Sequence, residues 1–194
     1  MAEKPRLFQG ATDMLLSLGV VVLMMAGVGL TGMCSFERGQ PENMPVISVD
    51  PETFLTMEAR SADFPIVNPQ VPANWTPNSV RRAFLGEKTA AVVGYVIAGE
   101  GYIQLTQTSL DIPKAVREND PNLRELSQEI TVDATPVQIY TSADKDPEVR
   151  DIWALRTPAG ATVLLSGAAT EKEFETLISL VLKAAPLGAK LAAR

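Results

Sequence analysis

Residues 90–108, AAVVGYVIAGEGYIQLTQT, decide the fold class. Two runs rich in β-branched and aromatic residues, 90–97 and 102–108, flank Ala98, Gly99, Glu100 and Gly101, a composition that predicts a hairpin. In the second run Tyr102, Gln104, Thr106 and Thr108 alternate with Ile103, Leu105 and Gln107. The alternation is imperfect, because Gln107 stands on the apolar side, but it implies an antiparallel sheet with one covered face.

The same reading extends in both directions. Upstream, residues 80–85 form a further strand, and four more are expected at 130–133, 137–141, 152–157 and 162–166, spaced for antiparallel pairing. A short helix falls at 112–118. Residues 46–49 read as a first strand, after which Asp50 and Pro51 supply a cap and a first-turn proline for a helix ending near Arg60. Pro65, Pro69, Pro72 and Pro77 then predict an extended loop to Asn78, packing through Phe64, Val67 and Trp75. Thr170 and Glu173 make a capping box. Phe174, Leu177, Ile178, Val181, Leu182 and Ala185 follow at helical spacing, until Pro186 and Gly188 stop the helix. The expected class is α+β, an antiparallel sheet covered by helices and ending in an amphipathic helix.

Ahead of this domain lies a different composition. Residues 14–36 carry no charge over about 23 positions, which at 1.5 Å per residue suffice to cross a hydrocarbon core of roughly 30 Å. The run is longer than the apolar part of a cleaved signal peptide, and Met33 before Cys34 suits lipoprotein processing poorly. It therefore reads as a retained transmembrane helix. Lys4, Arg6 and the amino group precede it, whereas only Arg38 follows closely, so the N-terminus is expected in the cytoplasm and the domain outside. Asp13 is placed to cap the inner end. The organisation is thus a cytoplasmic segment 1–13, a membrane helix 14–36, a linker 37–44, an extracytoplasmic domain 45–185 and a tail 186–194.

Small residues within the span, Gly19, Ala26, Gly27 and Thr31, offer a face on which another membrane helix can pack closely. Gly27, Gly29 and Gly32 spell a G-x-G-x-x-G pattern, but no strand precedes them, so it is not a dinucleotide fingerprint.

Charge narrows the partners. Residues 1–36 balance Lys4 and Arg6 against Glu3 and Asp13, so the whole net charge of −6 falls on the remainder. Nucleic acid is excluded by that balance. With no histidine and a single cysteine, the usual metal ligands, a histidine base and a disulfide framework are lacking. No catalytic, cofactor or metal residues are assigned, and the chain reads as no enzyme.

Three local patterns invite chemistry. Asp144, Asp146, Glu148 and Asp151 cluster, yet Pro147 and the missing glycine argue against a calcium loop. Asn74, Trp75 and Thr76 match a glycosylation acceptor, with Pro77 directly after it. Arg81 and Arg82, close to Trp75 and Tyr95, form the one candidate ligand or partner patch, through cation-π or anion contacts. Adjacent arginines on a strand face opposite ways, so the alternative is one exposed arginine and one lying over the sheet edge.

Three stretches carry a family resemblance: the run 13–18 (DMLLSL), the run 75–81 (WTPNSVR), and Val93, Gly94, Tyr95 and Val96 leading to residues 102–107 (YIQLTQ). With Gly167 and the acidic start of the last helix, they resemble DUF4245, an actinobacterial family of single-pass membrane proteins without an assigned reaction. The resemblance implies an envelope location. The architecture also looks like that of small accessory subunits of the actinobacterial cytochrome bcc-aa3 respiratory supercomplex. The expected function is a non-catalytic, membrane-anchored accessory subunit that contacts the lipid bilayer and other membrane subunits. The alternative is an extracytoplasmic binding module for a small molecule or envelope polymer.

Overall fold

The computed structural model describes the backbone of residues 7–30, 48–97 and 101–187, with side chains for 14–26, 48–97 and 101–187. The chain divides into two compact units, Met1–Pro45 and Val46–Arg194.

The first unit contains helix α1, Leu7–Leu30. It begins well before the uncharged run, so Asp13 lies inside the helix rather than capping it. From Met14 to Met25 the large apolar side chains are exposed, with Met14 at 76% and Val21, the least, at 53%. Among the described residues no helix is long and apolar enough to cross a membrane.

The second unit is built on one seven-stranded sheet, β1 (Trp75–Leu85), β2 (Lys88–Ile97), β3 (Gly101–Thr108), β4 (Arg124–Val132), β5 (Thr135–Ser142), β6 (Ile152–Arg156) and β7 (Thr162–Ala168). Every neighbouring pair is antiparallel, in the order β1-β2-β3-β7-β6-β5-β4. Two meanders, β1 to β3 and β4 to β7, are thus joined where β3 pairs with β7. Between them the chain crosses over through helix α3, Ile112–Asn119.

Alternation along the strands fills two cores. Val93, Tyr95, Ile103, Leu105, Leu155 and Leu165 face one side, where they meet Leu55 of helix α2 (Pro51–Ala59) and Phe174, Leu177 and Val181 of helix α4 (Glu171–Lys183). Ala90, Ile152, Ala154 and Leu164 face the other, against Ala115 and Val116 of α3. Helices therefore lie on both faces, where the sequence pointed to one. The second face escaped notice because α3 offers only those two buried residues.

Local chemistry explains the element ends. Asp50 accepts a hydrogen bond from the Glu52 N–H and starts α2 with Pro51 in its first turn. Thr170 Oγ1 accepts from the Glu173 N–H while Glu173 accepts from the Thr170 N–H, completing the capping box of α4. Gln107, wholly buried, accepts from Val67 N–H at 2.8 Å and donates to Val67 C=O at 2.9 Å. One amide thereby clamps the proline-rich segment onto the sheet, in the manner of a strand partner. A Cβ at Gly167 would overlap the Tyr102 carbonyl, so that position of the β3–β7 seam needs glycine.

Three expectations change. Ser48 and Val49 are not in a strand, and the Val49 N–H reaches only the Pro77 C=O, too little pairing to fix one; Val46 lies outside the described residues. Pro77 belongs to β1 rather than to a loop, tolerated because β1 is an edge strand with a bulge next to it. Strand β4 starts six residues before Ile130, since Arg124 to Glu129 pair with β5 although most are exposed. The turn residues 98–100, the linker 37–44 and residues 188–194 of the tail lie outside the described residues.

Candidate functional site

The four residues of the expected patch do not converge. Trp75 and Tyr95 are both buried in the core beneath α2 and α4, their ring centroids 6.5 Å apart and tilted by 53°. Burial pushes the Tyr95 hydroxyl group's pKa far up, and that hydroxyl has no hydrogen-bond partner among the described residues. Arg82 points to the α2 side, where its guanidinium makes two bonds to Glu58, at 2.7 and 2.8 Å. Arg81 points to the opposite side and donates to Gln104 at 3.0 Å. Strand geometry separates the pair, and the aromatics serve packing.

In α1, Gly19 has open space where a Cβ would stand, and Ala26 is exposed. Gly27 is helical, and Thr31 and Cys34 lie outside the described residues.

The acidic loop is organised by its own backbone. Asp146 accepts from the Glu148 N–H at 2.9 Å, its N–H donates to Ser142 Oγ at 3.3 Å, and Lys145 adopts a left-handed φ of 55°. Among the described residues no group of three or more carboxylate or cysteine side chains is placed to hold a metal ion.

Two clefts flank this loop, one on each face of the sheet. The larger, ≈ 640 Å³, lies on the α4 side, bordered by β4, β5, β6 and the start of α4. Its floor is Ile139, Trp153 and Phe174, with Trp153 stacked on Phe174 at 5.1 Å and 9°. Glu125, Asp146, Asp151 and Glu171 on its rim outnumber Lys145 and Arg150.

The smaller, ≈ 470 Å³, is lined on the other face by Tyr102, Gln104, Asn122, Ser166 and the Asp120–Arg124 pair. The Arg124 side chain is only 5% exposed, donates to Asp120 and to the Arg150 C=O at 2.7 Å each, and leaves its buried Nε without a partner among the described residues. Burial pushes the Asp120 carboxyl upward, but the hydrogen bonds from Arg124 and the Asn122 N–H outweigh it and hold the group below its usual value.

Neither cleft was anticipated from the sequence. Asp120 and Arg124 stand four apart, a spacing that suggests a helical pair, yet they lie in a loop and a strand. Trp153, one of two tryptophans, was legible only as part of a strand.

Taken together, the fold and its surfaces define an α+β domain of one antiparallel sheet with helices on both faces, C-terminal to a separate apolar helix. The model of a family described as "Protein of unknown function (DUF4245)" matches residues 6–181, and the chain belongs to that family. No curated protein and no solved structure matches it.

Proposed function

We propose that the protein is a non-catalytic accessory subunit, anchored in a membrane by α1 with its N-terminus in the cytoplasm, and that its sheet domain contacts an extracytoplasmic partner. The observation that carries this reading is the exposure of the apolar side chains of α1 between Met14 and Met25. Exposed on all sides in water, such a surface is costly, and lipid or neighbouring helices remove the cost. The described side chains of α1 cover about 20 Å at 1.5 Å per residue, and the uncharged sequence continues to Phe36, which supplies the remaining length for a span. Gly19, Ala26 and Gly27 of α1 are small residues that let a neighbouring helix approach, and the sequence continues with a further small residue, Thr31. A non-catalytic role is favoured by the sequence, which has no histidine to act as a general base.

An actinobacterial cytochrome bcc-aa3 supercomplex is the assembly to test first, on the likeness of architecture described above. Purification in mild detergent is expected to bring a large complex with the chain. Recovery of free monomer alone, under conditions that keep known respiratory assemblies intact, contradicts the reading.

The second reading, a binding module, is favoured by the cleft around Arg124, whose buried guanidinium sits among planar polar side chains. A ligand bound there raises the thermal midpoint of the whole chain in a screen of small molecules and envelope glycans.

A further inference from the structure

We infer that the edge strand β4 and the larger cleft beside it form a docking groove for an extended, basic segment of a partner protein, added to the sheet as an eighth strand. The inference rests on reading the domain as partner-binding, not on where α1 resides.

Strand β4 closes the order of the sheet, so its outer row of N–H and C=O groups faces away from β5. Among the described residues, no backbone hydrogen bond from outside the sheet reaches residues 124–132. The strand is exposed on both faces through most of its length, and Leu126 is 51% exposed and Leu123, just before it, 70%. The other edge, β1, is met by the Val49 N–H at Pro77 and flanked by α2 through Arg82 and Glu58.

Register then sets what a partner strand would meet. Glu125 and Gln128 pair with Thr141 and Ile139, so they share the face that opens into the larger cleft. A chain running along β4 places every second side chain over that cleft, whose floor is Ile139 and Trp153 and whose rim is net negative. Lysine or arginine at alternate positions matches the rim, with the aliphatic stems lying on the apolar floor.

The same charges disfavour the commonest wrong partner. Two copies pairing β4 with β4 would bring acidic strands together, with Glu125 on the cleft face and Glu129 on the opposite face of the seam, and would set two net-negative rims side by side, an arrangement that like-charge repulsion disfavours. The bulge between Leu126 and Gln128 further interrupts a flat edge. Such an edge resists self-association yet stays open to a basic strand.

The test uses the whole chain in detergent micelles with two octapeptide probes, one alternating lysine with valine and one alternating glutamate with valine. Amide hydrogen exchange reads the site. The lysine peptide is expected to slow exchange across residues 124–132 and to leave 75–85 unchanged, with affinity at least tenfold above that of the glutamate peptide. Glu125→Lys with Asp151→Lys is expected to lower lysine-peptide affinity at least tenfold while the thermal midpoint holds. Equal binding of both peptides, no binding of either, or protection that leaves β4 untouched overturns the inference. Concentration-dependent protection of 124–132 in the chain alone assigns the edge to a second copy and overturns it as well. Failure here leaves membrane anchoring intact, because that is read by fractionation.

Discussion

Gln107 stands on the apolar side of β3, and its amide satisfies both backbone groups of Val67 inside the core. Replacing it with leucine keeps the volume but leaves a buried N–H and C=O unpaired, at a cost of about 2–4 kcal/mol. Urea unfolding of the whole chain, followed by tryptophan fluorescence, measures it; an unchanged midpoint contradicts the clamp. Asp120 gives a pH-dependent counterpart. Its folded value is depressed, so its contribution is complete above the ordinary aspartate range and disappears as pH falls through the lowered value. Asp120→Asn is expected to cost about 1 kcal/mol at pH 7, since the pair keeps some contact with water, and nearly nothing once the wild-type group is protonated. A difference that stays constant into acid contradicts this pairing. Neither role was legible in the sequence: Gln107 looked like a fault in the alternation, because its partner lies 40 residues away.

At the scale of elements, the turn between β4 and β5 consists of Asp133 and Ala134, with φ of 46° and 63°. Both positions need the left-handed region, which alanine fills reluctantly and glycine freely. Ala134→Gly is expected to stabilise the chain by about 0.5–1 kcal/mol net of glycine's larger unfolded-state entropy, read as a higher urea midpoint. A lower midpoint shows that the turn is not strained. Legibility followed local signals. Helix α4 was readable because its cap and its buried stripe are local, and the β2–β3 pair because apolar runs flank glycines. The first half of β4 was not, since residues 124–129 (RELSQE) carry no alternation: a strand exposed on both faces shows no burial pattern. The run 46–49 misled in the opposite way, with strand-forming residues but no neighbour to complete a ladder.

For the whole molecule, the two units pose separate problems. The sheet domain has a complete core of its own, with α2 and α4 on one face and α3 on the other. Helix α1 has no such core: its described large apolar side chains are exposed. The apolar run was visible in composition and the family in three motif stretches, while the clefts depend on a loop between β5 and β6 and on register, which residue types alone do not specify. The most direct test is to wash membranes from the producing cells at alkaline pH and measure the intact mass of the chain that remains. The expected result is full-length protein, residues 1–36 included, in the pellet and released only by detergent. Chain freed by the wash, or found in the medium with its first residue beyond Cys34, contradicts the account.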